Sequence, residues 1–164
     1  MRPLLWAVGV TTVPARRGDL LPQTLASLRV GGFDRPRLFV DGCSASDQVW
    51  YETTFGLPVT ARPNPPLRAV ANWMLSLAEL LIREPRADRY VMFQDDLLCG
   101  RNLRQYLEAV PFPEKGYWNL FTFRGNEVIT RQKKPGWYPA PAVGNGAVGL
   151  VFNRDAVPIL LRHQ

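Results

Sequence analysis

The sequence predicts an α/β fold: a single domain over residues 1–164, with a mostly parallel central sheet and helices on both faces. Three observations predict it. Short apolar runs rich in Val, Phe and Tyr alternate with longer segments of helical period. Polar residues collect where those runs end. The composition, 46% hydrophobic and 21% charged, is that of a folded chain and not of a disordered one. A chain of 164 residues can bury roughly 70% of the surface it exposes when unfolded, enough for one sizeable core.

"LLWAVGVTT" (4–12) reads as a buried strand by its apolar density and its Val and Thr content. Asp19 is placed to cap a helix on which Leu21, Leu25 and Leu28 recur at helical spacing, and the glycine pair 31–32 stops it. "RLFVDG" (37–42) is a second strand, ending in a loop "GCSASD". A Pro-rich passage, "LPVTARPNPP" (57–66), comes next. "LRAVANWMLSLAELLIRE" (67–84) is the longest helical candidate, with Val70, Trp73, Met74, Leu77, Leu80 and Leu81 expected on one face. "RYVMFQDD" is a third strong strand, "RNLRQYLEAV" (101–110) a short amphipathic helix and "YWNLFTF" (117–123) another strand. Residues 124–146 show little regular pattern, and a long segment of that kind inside a domain is usually a functional loop. "AVGLVFN" closes as a strand and "DAVPILLRHQ" as a helix.

Lys and Arg number 20 against 14 Asp and Glu, a net charge of +6 that suits a polyanionic partner without choosing among them. The excess is scattered, apart from the short cluster "RQKK" at 131–134. The apolar N-terminal stretch "PLLWAVGVTTVPA" (3–15) is too short to span a bilayer and lacks a clear cleavage site. No membrane anchor is visible. Cys43 and Cys99 have neither metal-site nor redox-motif spacing, so a reduced, cytoplasmic setting is expected.

In a sheet of this class, ligands bind outside the carboxyl ends of the strands. Thr11 and Thr12, Asp41, and then Gln94, Asp95 and Asp96 stand at three such ends. Two adjacent carboxylates leaving a buried strand can hold a hard divalent cation, share a proton, or cap the following turn. Their apolar flanks favour a use beyond capping, because an unpaired buried carboxylate is costly. With no Cys or His close in sequence, magnesium or manganese fits better than zinc.

"YVMFQDDLLC", preceded by a long helix carrying Arg68 and Asn72, resembles the metal-binding strand end of nucleotide-sugar glycosyltransferases of the GT-A fold. "VGVTTVPAR" is similar to their nucleotide-binding opening. "VDGCSASD" (40–47) resembles the second-strand element of the family 2 enzymes, and "GNGAVGLVFNRDAV" (144–157) their glycine-rich segment near donor sugar and acceptor. The resemblance implies Asp96 as the direct ligand of Mn2+ or Mg2+, with His163, the only histidine, as a further one. Asp95 would meet ribose, sugar or a metal-bound water, and Gln94, where several relatives have Glu, a ribose hydroxyl. Asp41 would read base or ribose, Thr11, Pro14 and Arg16 would line the nucleotide, and Arg68 would approach the diphosphate.

An inverting transfer needs a carboxylate base, for which Glu127 and Asp155 are the candidates. Asp155 also reads as a helix cap, and His163 as a terminal residue suited to a helix end. Trp137 and Tyr138 either stack on a ligand or anchor their own loop. Residues 124–142 are expected to close as a lid. The expected activity is therefore transfer from a nucleotide diphosphate sugar, UDP-linked by preference, to a glycan, lipid-linked glycan, protein or modified DNA. The competing readings are a nucleotidyltransferase, and a non-enzymatic nucleic-acid or glycan binding module on a degenerate transferase fold.

Overall fold

The computed structural model describes residues 2–121, 124–129, 136–139 and 148–162. Trp6–Thr12 forms β1, Leu20–Val30 α1, Arg37–Asp41 β2, Ala45–Phe55 α2 and Val59–Arg62 β3. Arg68–Arg83 forms α3, Arg89–Gln94 β4, Leu103–Ala109 α4 and Tyr117–Asn119 β5. Arg124–Ile129 forms α5, Gly149–Asn153 β6 and Ala156–Arg162 α6. The strands make one sheet in the order β3-β2-β1-β4-β6-β5. The first four run parallel, whereas β6 is antiparallel to β4 and β5 antiparallel to β6. The expected mostly parallel sheet is thus a mixed one. Its parallel half is the product of helical crossovers, whereas β6 starts, at Gly149, on the same edge of the sheet at which β5 ends and so runs back antiparallel.

Alternation along each strand divides the core in two, because successive side chains leave a strand on opposite faces. Leu38 and Val40 of β2, with Val91 and Phe93 of β4, pack under Leu21 and Leu28 of α1, Tyr51 of α2 and Leu107 of α4. Phe39, Tyr90 and Met92 point the other way, onto Trp73, Leu77 and Leu80 of α3 and Val157 of α6. Gly9 makes the second layer possible. A Cβ there would lie 2.6 Å from the Met92 sulfur and 3.0 Å from the Phe39 ring. The expected helices on both faces are present.

Asp19 does cap α1, its carboxylate accepting from the Leu20 N–H, and Gly31 ends the helix. Three elements lie where only loop was expected. Ser44 and Asp47 form a reciprocal capping box that starts α2, and Gly56, at φ 62, closes it in the left-handed conformation. The Pro-rich passage contains the short edge strand β3. Residues 124–129, expected to be irregular, are helical.

The inward face of α3 also differs from the expected one. Val70 is 75% exposed, and Asn72 and Ser76 are buried beside Trp73, Leu77 and Leu80. Arg62 supplies the reason. Its buried guanidinium, at the end of β3, donates to Asn72 Oδ1 at 2.7 Å, Glu79 Oε1 at 2.7 Å and Ser76 Oγ at 3.2 Å. A buried cation requires such partners. They turn a polar strip of α3 inward, and Val70 outward.

Candidate active site

A cleft of about 330 Å³ opens at the carboxyl ends of β1, β2 and β4. It lies at the sheet's switch point, where β1 has β2 on one side and β4 on the other. Thr11, Thr12, Arg16, Asp41, Arg68, Asn72, Gln94 and Asp95 line it together with Val13, Pro66 and Ala69.

Asp95 is 3% exposed, so each of its oxygens needs a partner. Thr12 Oγ1 donates to Oδ2 at 2.5 Å, and Arg16 Nη1 donates to Oδ1 at 2.6 Å. The same Arg16 nitrogen reaches Asp96 Oδ2 at 3.1 Å. One guanidinium therefore neutralises both members of the carboxylate pair, and Asp95 in turn holds the Arg16 pKa above its ordinary value. The hydroxyl of Thr24 on α1 lies 2.9 Å from the carbonyl oxygens of both Asp95 and Leu97, which fixes the turn that carries the pair. Asp96 differs from its neighbour in exposure: 37% of its side chain is open to solvent.

Asp41 is buried at the end of β2, and both its oxygens accept backbone N–H groups, from Leu67 at 2.9 Å and Arg68 at 2.7 Å. It thereby satisfies the orphan donors at the start of α3. Arg68 sits at φ 69, a region non-glycine residues enter at a cost of roughly 1–3 kcal/mol. The Asp41 carboxylate holds it there, with the exposed Arg68 side chain in the wall of the cleft.

Six of the seven residues expected around a nucleotide, Thr11, Arg16, Asp41, Arg68, Gln94 and Asp95, thus meet in one cleft. Pro14 stands in the 3-10 turn Pro14–Arg16 that delivers Arg16, and is not among the lining residues. Thr12 and Asn72 are further lining residues. Thr12 stood with Thr11 at the expected strand end but had no role assigned to it, and the helical position of Asn72 concealed its burial.

The two candidate bases separate. The register pairs Asn153 with Arg89, at the amino end of β4, so Asp155 lies at the edge of the sheet opposite the cleft. It is not brought to the site, nor does it cap α6; Asn153 Oδ1 accepts the Ala156 N–H at 2.7 Å instead. Glu127 on α5 follows β5, whose carboxyl end faces the same edge as that of β4, but it is not among the lining residues. Trp137 is an anchor. It stacks on Trp118 at 5.3 Å and on Tyr106 at 6.3 Å, and its indole N–H donates to the Tyr106 hydroxyl at 3.0 Å. His163, the basic cluster 131–134 and residues 130–135 and 140–142 of the expected lid lie outside the described residues.

Among the described residues no three His, Cys, Asp or Glu side chains gather as a metal cage. A magnesium-class ion does not need one. It keeps several waters and binds through one or two carboxylates plus substrate phosphate oxygens. Asp96, solvent-open beside a fully engaged Asp95, fits that donor chemistry. No helix among the described residues is long and apolar enough to cross a membrane. No protein-family model and no curated protein matches the chain.

Proposed function

We propose that the chain is a glycosyltransferase of the GT-A fold, moving a sugar from a nucleotide diphosphate donor, UDP-linked by preference, to an acceptor hydroxyl. One observation carries the reading: the cleft at the switch point gathers two guanidinium groups, the carboxylates of Asp41 and Asp95 and several hydroxyl or amide groups from three separate strand ends, with the solvent-open Asp96 next in the chain but not among the lining residues. Cations suit a diphosphate, and hydroxyls and amides suit a ribose or sugar. The parallel half-sheet with a reversed β6 is compatible with the fold that the sequence resemblance implies.

In this reading Asp96 holds Mn2+ or Mg2+. When bound, the ion supplies Lewis-acid neutralisation of the departing diphosphate. Arg68 pairs with phosphate oxygens from the α3 side of the cleft. Arg16 is the counter-ion of the Asp pair in the free protein and orients Asp95 toward the donor. Asp41 meets base or ribose with the lone pairs that its two backbone bonds leave, and Gln94 offers its amide to a ribose hydroxyl. Glu127 is the carboxylate proposed to take the acceptor proton, on the strength of its place after β5. Of the two candidates, it alone is on the correct edge of the sheet.

Isothermal calorimetry with a panel of nucleotide diphosphate sugars, with and without Mn2+, tests the proposal. The expected outcome is binding of at least one donor that chelation abolishes, accompanied by slow metal-dependent donor hydrolysis. Absence of binding for every donor in the presence of Mn2+ sinks it.

A further inference from the structure

The second face of α3 is unusual for a surface helix. Its buried side is Asn72, Trp73, Ser76, Leu77 and Leu80. On the opposite side, at helical spacing, stand Val70, Ala71, Leu75, Ala78 and Ile82, with no charged residue among them. Val70 and Ile82 are 75% and 76% exposed. A helix that carries a second, solvent-open apolar stripe beside its core-facing one is ordinarily covered there as well. The layer continues onto α6, which shares the same core cluster. There Ile159 is exposed at the mouth of an apolar groove of about 280 Å³, formed with Tyr117, Phe152 and Leu160.

The rim of this face is basic. Arg83 and Arg86 stand at and beyond the end of α3. Arg154 joins them, donating to the Arg86 carbonyl at 2.7 Å, and Arg162 ends α6. All four are exposed, against the exposed carboxylates Glu84 and Asp155; Arg83 lies 3.8 Å from Glu79, which Arg62 also holds, and Asp88 is already paired with Arg2 at 2.7 Å. The whole chain adds a net +6.

We propose that the α3–α6 face lies on the surface of an anionic lipid bilayer, with the apolar stripe in the interface and the arginines among headgroup phosphates. An apolar face with a basic margin is the pattern by which helices lie in a membrane interface without crossing it. From Val70 to Ile82 the stripe spans about 18 Å along the helix. A second copy of the chain is the poorer occupant. Pairing α3 with itself in antiparallel fashion brings Arg83 and Arg86 toward the partner's Arg68, like charge against like. The inference goes beyond the transferase reading and does not depend on it, since no ligand or chemistry of the cleft enters the argument.

Vesicle flotation tests it, using phosphatidylcholine mixed with phosphatidylglycerol, and phosphatidylcholine alone. The protein is expected to float with the mixed vesicles at low salt, to leave them as salt rises, and to ignore the neutral ones. The double variant Val70→Asp, Ile82→Asp is expected to lose about tenfold or more in vesicle affinity. Its melting curve should stay unchanged, because both side chains are already in water. Val49→Asp, on α2 across the sheet, is expected to bind as the parent does. Failure of the parent to bind mixed vesicles, or equal binding by the double variant, overturns the proposal. A dimer seen by light scattering and dissociated by the double variant also overturns it, and assigns the face to a second copy.

Discussion

Asp95 and Asp96 are neighbours in sequence with opposite situations: one is enclosed and doubly bonded, the other half open. Their repulsion is tolerable because Arg16 reaches both. Removing the open one is therefore expected to leave the fold intact. Asp96→Ala gives up a solvent-screened pair worth about 0–1 kcal/mol, so its unfolding midpoint in urea should barely move. Metal-dependent donor binding should disappear in the same variant; parent-like affinity for a UDP-sugar with Mn2+ refutes Asp96 as the ligand. Arg68 separates binding from stability in another way. At φ 69 a glycine relieves roughly 1–2 kcal/mol of left-handed strain, offset by about 0.4–1 kcal/mol of extra freedom in the unfolded chain. Arg68→Gly should thus melt no lower than the parent, yet bind UDP more weakly. A variant that binds UDP unchanged removes Arg68 from the diphosphate site.

The elements show which parts of the architecture a sequence can display. β1, β4 and α3 carry long periodic patterns, and all three lie within a residue or two of where the periodicity places them. α2 has no such pattern; Tyr51 is its only fully buried residue, so its evidence is local, in the Ser44–Asp47 capping box and Gly56. β3 is four residues long beside several prolines, too short for alternation to speak. Most of the cleft was legible because polar side chains at apolar strand ends are conspicuous. The fate of Asp155 was not, since it depends on the direction of β6, and direction is a property of the sheet and not of the segment. Close approaches between elements are equally hidden. Gly31, at the end of α1, meets the loop after β4: a Cβ there would stand 2.5 Å from Cys99 Sγ and 3.2–3.3 Å from the carbonyls of Leu28 and Gly100. Burial pushes the Cys99 thiol up to about 11, in keeping with a neutral packing group. Gly31→Ala is therefore expected to destabilise by about 1–3 kcal/mol although its backbone angles suit alanine. Adding Cys99→Ala should recover part of that loss, whereas simple additivity of the two changes speaks against the contact.

At the scale of the whole molecule, the parallel strands aim β1, β2 and β4 at one edge, so the cleft's walls come from segments distant in the chain. Asp41 ties β2 to the start of α3, Arg16 ties the loop after β1 to the end of β4, and Thr24 ties α1 to the same turn. A ligand filling this cleft would bind only the folded arrangement, since unfolding scatters all these segments. Binding to the native state alone stabilises it by about 2.7 kcal/mol when free ligand is on the order of 100-fold above its Kd. For a chain of this size each kcal/mol raises the melting temperature by about 2–4 °C. A saturating nucleotide diphosphate with Mn2+ is thus expected to raise the melting temperature by roughly 5–10 °C. The rise should shrink on chelation and with added salt, because the contacts are largely between a polyanion and the two arginines of the cleft. Asp96→Ala should show the chelated behaviour at every Mn2+ concentration. If the nucleotide raises the midpoint equally with and without metal, the cleft binds the diphosphate through Arg16 and Arg68 alone, and the cation has no part in donor recognition.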